Sequence, residues 1–159
     1  MRTSKAYRLL MILTVVATLV GCNRKTVFAQ FRHVPIEGWE RSDSIGFEFA
    51  CQKSMGGGTE VYEETVGLRI SGAYPFKSLY LIVEQETFPA RIVQVDTLVC
   101  PLVNEHGVFH GRGINYYQYD FPLRTVTLTP GDSLSVRIRH NMKREILPGV
   151  IDVGLTVRH

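Results

Sequence analysis

Ile151, Val153, Leu155 and Val157 alternate with Asp152, Gly154, Thr156 and Arg158 close to the end of the chain. A period of two marks a strand with one face on a core, because successive side chains point to opposite sides of a sheet. The same period recurs upstream. Ile45, Phe47 and Phe49 alternate with Gly46 and Glu48, and Val66, Leu68 and Ile70 with Gly67, Arg69 and Ser71. Leu79, Leu81 and Val83 are interleaved with Tyr80, Ile82 and Glu84, a mixture that predicts cover on both faces. The run from Ile92 to Val99 is rich in β-branched residues, which suit a pleated surface. Val126 and Leu128 follow, and then Leu134, Val136 and Ile138 against Ser135, Arg137 and Arg139.

Between these runs lie turn residues: Gly56-Gly57-Gly58, Tyr74-Pro75, Phe88-Pro89, Glu105-His106-Gly107, Thr129-Pro130-Gly131-Asp132 and Leu147-Pro148-Gly149. Proline presets φ and glycine accepts positive φ, so such pairs reverse the chain cheaply. Beyond residue 21 no window of helical length keeps apolar residues at i, i+3, i+4 and i+7. About seven to eight strands without intervening helices predict an all-β domain, an antiparallel β-sandwich (Ig-like or jelly-roll-like), with an open barrel as the alternative.

The N-terminus follows different rules. Arg2, Lys5 and Arg8 precede an apolar run from Leu9 to Val20, which ends in Leu19-Val20-Gly21-Cys22. The run is shorter than the roughly 20 residues of a spanning helix and reads as a secretory signal. Its last four residues read as a lipobox, cleaved before Cys22, whose thiol takes the lipid. The expected organisation is a signal peptide over 1–21, a lipidated N-terminus and tether over 22–38, and the β domain over 39–159. Asn23 follows the cysteine, not the Asp associated with inner-membrane retention, and no acidic cluster comes next. Both features point to the outer membrane, on its periplasmic face.

Cleavage also removes the charge asymmetry. The chain carries 18 Lys and Arg against 15 Asp and Glu, and the three surplus cations are Arg2, Lys5 and Arg8. The mature chain is formally neutral, so the excess of +3 in the full chain is no nucleic-acid signature. Arg137, Arg139, His140, Lys143 and Arg144 are its densest basic group, expected on a solvated strand edge.

Motifs with chemistry are sparse. Gly56-Gly57-Gly58-Thr59 lacks the spacing of a phosphate loop and no helix pattern follows it. His106 and His110 lie in a glycine-containing segment, where four extended residues separate them by about 13 Å, too far for one metal ion. No metal or cofactor is expected. None of the serines sits in a GxSxG elbow, and Glu63-Glu64 are expected on opposite faces of a strand. Cys51 and Cys100 are the cysteines left after lipidation, each at the end of a predicted strand. Two readings stay open for them: a disulfide closing a loop of about 50 residues, worth about 4 kcal/mol, or two separate buried thiols. Trp39 and the group Tyr116, Tyr117, Tyr119 and Phe121 are candidate binding rings, with ordinary packing as the alternative.

The order of segments resembles the gliding-motility lipoproteins called GldH, a family of Bacteroidota. The resemblance runs from the lipobox through Gly38-Trp39, Asp43-Ser44-Ile45-Gly46-Phe47-Glu48-Phe49 and Tyr74-Pro75-Phe76-Lys77-Ser78-Leu79-Tyr80-Leu81-Ile82-Val83. It continues through Asp96-Thr97-Leu98 and Gly107-Val108-Phe109-His110-Gly111-Arg112-Gly113 to Ile151-Asp152-Val153-Gly154-Leu155. It implies a lipid-anchored β domain associated with gliding and the linked type IX secretion system, without catalytic residues to transfer. Cys22, as the lipidation site, is the residue that carries over. The expected role is non-enzymatic: a body held to the membrane through Cys22 that docks on envelope proteins of motility or secretion machinery. The rival is a carbohydrate- or peptide-binding module.

Overall fold

The structure is a computed structural model that describes residues 25–52 and 58–159. Cys22, the signal peptide, Gly56 and Gly57 lie outside the described residues. Ten strands follow in order: β1 Thr26–His33, β2 Trp39–Glu40, β3 Ile45–Ala50, β4 Glu60–Ile70, β5 Ser78–Phe88, β6 Ile92–Pro101, β7 Tyr117–Leu128, β8 Ser133–His140, β9 Ile146–Leu147 and β10 Val150–Arg158. No helix occurs among the described residues. Two four-stranded antiparallel sheets, ordered β1-β10-β4-β7 and β3-β8-β5-β6, make the sandwich, and β2 pairs with β9. We call the four-stranded sheets the first and the second sheet.

The alternating residues account for the core. Val66, Leu68, Ile70, Val153, Leu155 and Val157 face inward from the first sheet, and Phe47, Leu79, Leu81, Val83, Leu134, Val136 and Ile138 from the second. Each is essentially inaccessible, and burying a side chain of this size is worth about 1.5–3 kcal/mol. Ile151 departs from its row because a register shift falls between Val150 and Asp152, leaving it half-buried. β5 is covered on one face only: Tyr80 and Glu84 are exposed between the buried Leu79, Leu81 and Val83.

Two further expectations change. Residues 26–33 belong to the domain and not to a tether, because β1 pairs with β10 from Thr26↔Arg158 to His33↔Asp152. The body therefore begins at Thr26 rather than at Trp39. β1 is an edge strand with mostly exposed side chains and a register shift near its start, which erases the period in its sequence. The basic segment around Arg137 does not lie at a sheet edge either. β8 is internal, between β3 and β5; Arg137 and Arg139 point outward while His140 is buried.

Glycines at matched positions shape the outer face of the first sheet. Gly67 on β4 faces Gly154 on β10, which faces Phe31 on β1. A Cβ on Gly67 would meet the Phe31 ring at 2.6 Å, and one on Gly154 at 2.7 Å. The two bare backbones leave a trough for this ring, and the Arg69 guanidinium covers it at 4.2 Å from the centroid. Arg69 also pairs with Asp152 at 3.2 Å, and Asp152 with His33 at 3.0 Å.

The sandwich has two distinct ends. Lys25 and His159 exchange backbone hydrogen bonds at the end where the described chain begins. The same end holds Cys51, the Thr129–Asp132 turn and the β5–β6 hairpin, through the pairings Ala50↔Ser133, Phe88↔Ser133 and Thr87↔Ile92. We call it the proximal end. The β2–β9 pair and the loops around residues 71–77, 102–116 and 141–145 occupy the distal end.

Candidate functional site

Cys51 and Cys100 are separate thiols, both buried. Each ends its own strand, but β3 runs toward the proximal end and β6 away from it. Cys100 pairs with Leu79, nine residues up β5 from Phe88, which is level with Ala50. At 3.3 Å per residue that is about 30 Å, whereas a disulfide needs Cα atoms within about 7 Å. The bridge is thus excluded by strand direction. The Cys51 thiol lies 3.2 Å from the Tyr62 hydroxyl, which donates to Glu60. Burial pushes the Cys100 thiol up to about 12.

The candidate rings do not form an exposed platform. Trp39 is buried, donating from Nε1 to the Asp43 carbonyl at 3.1 Å, with its own carbonyl 3.0 Å from His140 Nε2. Met142 N–H donates to His140 Nδ1, so His140 is neutral and donates through Nε2 to Trp39. Burial lowers the pKa of this imidazole, against the opposing bond to Trp39. Tyr119 is also buried and donates to the Leu102 carbonyl at 2.7 Å. Tyr117 stacks on Phe109 at 4.6 Å between centroids, and Phe121 on Tyr119 at 5.9 Å. Tyr116 alone of the group is exposed, near Arg69.

His106 and His110 are exposed in the 102–116 loop. Among the described residues no group of three or more His, Cys, Asp or Glu is placed to hold a metal. Glu63 and Glu64 do separate across β4, with Glu64 inward. Both Glu64 carboxylate oxygens are buried without a hydrogen-bond partner, as are both polar atoms of the Gln85 side chain. Burial raises Glu64 to about 7, opposed by Arg124, its cross-strand neighbour. Arg124 instead reaches across the open side of the sandwich to Asp96 and Gln94 of β6. This contact ties the free edges of the two sheets together.

The surface that stands out is β6 itself. Of its two rows, Val93, Val95, Thr97 and Val99 form the more apolar, and it faces outward; Val93, Val95 and Val99 are each more than half exposed. The row of Gln94, Asp96, Leu98 and Cys100 faces the sandwich, where Leu98 and Cys100 pack on the core and Arg124 satisfies Gln94 and Asp96. β6 pairs only with β5, over ten residues without a register shift, so its outer edge is a long, straight row of backbone donors and acceptors. The other sheet edges carry a shift (β1), a proline and a shift (β7), or are shorter and bear Gly46 and Glu48 (β3). Exposed Tyr80 faces Val99 across the β5–β6 ladder. It extends the apolar row into a trough of about 660 Å³ lined by Phe76, Met142 and the side chains of Lys143 and Arg144.

A family model described as GldH lipoprotein matches residues 26–157. The match opens at the first residue of β1 and closes in β10, so it takes in both sheets. The gliding motility lipoprotein GldH of Flavobacterium johnsoniae is 28% identical over 160 residues, covering 92% of this chain and 92% of its own.

Proposed function

This chain belongs to the GldH lipoprotein family, a membrane-anchored envelope protein of the gliding-motility group, and we propose that it works as a non-enzymatic docking body. Lipid on Cys22 holds it to the periplasmic face of the outer membrane, and its sandwich binds an envelope component of the gliding or linked type IX secretion machinery. The observation that carries this reading is the free edge of β6 with its exposed valine row. A ten-residue unshifted edge with exposed valines is a template for pairing with another chain. The inward charge that would ordinarily guard such an edge, Asp96, is neutralised within the fold by Arg124. Retention of this edge fits the addition of an extended strand from a partner: main-chain bonds would give affinity, and pockets beside alternate residues would give specificity. The peptide-binding rival thus survives as the mode of docking, whereas the carbohydrate version has no ring platform among the described residues.

A photo-crosslinking residue at Val95, in the lipidated protein of its native host, tests the reading. It is expected to trap a discrete envelope protein, and Val95→Lys is expected to abolish the adduct and impair gliding or cargo secretion at normal protein levels. Unchanged motility and secretion in a strain lacking the gene would refute the role.

A further inference from the structure

We propose that the tip of the β5–β6 hairpin rests in the headgroup region of the same membrane that holds the lipid anchor. The inference rests on lipidation at Cys22 and concerns how the body then sits on the bilayer.

Three residues, and so four Cα–Cα steps, separate Cys22 from Thr26, the first residue of β1. Even fully extended they span at most about 14 Å. β1 is tied into the sheet from Thr26 onward, and Lys25 is already bonded to His159. The proximal end is therefore kept near the bilayer and cannot stand off on a long spacer. The sandwich is four strands wide, about 14 Å at 4.8 Å per strand, and its two sheets lie about 10 Å apart. The end is thus small enough for a described turn to meet the headgroup layer while the tether stays within its span.

The turns of that end differ in chemistry. The Thr129–Asp132 turn carries a carboxylate, held by the Thr129 N–H and hydroxyl at 2.8 and 2.7 Å and kept acidic by those bonds. The β5–β6 turn itself has none: over residues 87–92 it reads Thr-Phe-Pro-Ala-Arg-Ile, and the nearest acid is Glu86, opposite Val93 one step up the ladder. Pro89, Ala90 and Ile92 are exposed and Phe88 is half-buried beside them. Arg91 takes a positive φ of 54° and lies over the Phe88 ring at 5.7 Å. Apolar residues around one cation, with no acid within the turn, suit an interface where hydrocarbon meets phosphate. The same residues turned to bulk water would gain nothing from that composition.

The test uses the acylated full chain, purified from membranes and reconstituted in mixed phosphatidylethanolamine–phosphatidylglycerol vesicles. Ala90→Cys is labelled with an environment-sensitive fluorophore; Cys51 and Cys100 are buried. Ile114→Cys, on an exposed distal loop, is the reference. Nitroxide-bearing lipid is expected to quench the label at 90 several-fold more than the label at 114. Ile92→Asp is expected to bring the two to the same level while the protein still floats with the vesicles. Equal, weak quenching at both positions in floating protein would overturn the hairpin contact and leave the anchor intact. So would a dry label at 90 that nitroxide lipid does not quench, which would mark a protein contact. Failure of the wild-type chain to float would overturn the anchor at Cys22, and the hairpin contact with it.

Discussion

Replacing Glu64 by Gln is expected to flatten the pH dependence of folding and to stabilise the domain above neutrality. Glu64 is 1% exposed on the inward face of β4, and its carboxylate oxygens have no hydrogen-bond partner. Burial moves its pKa from 4.5 to about 7. Arg124 is too committed to Asp96 and Gln94 to neutralise it. In the unfolded chain the carboxyl returns to its ordinary value, so the folded state binds the proton more tightly. The stabilisation this provides is complete below about pH 4.5, declines through the window up to about 7, and is lost above it. At about 1.4 kcal/mol per pH unit, that window is worth about 3 kcal/mol.

Gln is neutral at every pH and nearly isosteric, but its buried amide brings unmet hydrogen-bonding groups of its own, at a cost of about 1–2 kcal/mol. The variant should therefore be slightly weaker than the wild type near pH 5 and more stable by about 1–2 kcal/mol near pH 8. Urea unfolding, followed through the buried Trp39, measures both. The comparison removes every other titrating group, since each is common to the two proteins. Parallel pH slopes for wild type and Glu64→Gln would refute the reasoning, as would a variant weaker at both pH values.

Gly154→Val should displace Phe31 from its trough and cost about 1–3 kcal/mol in chemical unfolding; the same substitution in a Phe31→Ala background should cost clearly less. His140 has a lowered pKa, so its contribution is present above its ordinary value of 6.5 and is lost as pH falls through the lower folded value. His140→Ala should lower thermal stability near neutrality by about 2–3 kcal/mol and weaken that acid limb in melts run across the range. The acylated protein should titrate the same two thiols, Cys51 and Cys100, in denaturant with and without prior reduction; a count that rises on reduction would show a bridge.

Alternation found the seven long strands from β3 to β8 and β10, because it reports a local property: the side chains of one strand fall on two faces. It does not report what each face meets. In β6 the more apolar row points to solvent because Arg124 on β7 supplies a polar partner for Asp96 and Gln94 on the other side. That partner lies about 30 residues away in sequence and comes near only when the two sheet edges meet. β1 was hidden for the same kind of reason: its exposed edge position asks for no apolar row, and its membership is decided by pairing with β10. Cys51 and Cys100 were both correctly placed at strand ends, yet only the direction of β3 relative to β6 reveals that those ends are opposite. Glu64 was closer to legible, since it shares parity with Tyr62, Val66 and Leu68, all buried. The residues that a local rule misassigns are therefore those whose environment comes from another strand or from another molecule. Asp96 and Gln94 find theirs within the fold, in Arg124. Val95 and Val99 find none there, and this difference directs the search for a partner to the β6 edge.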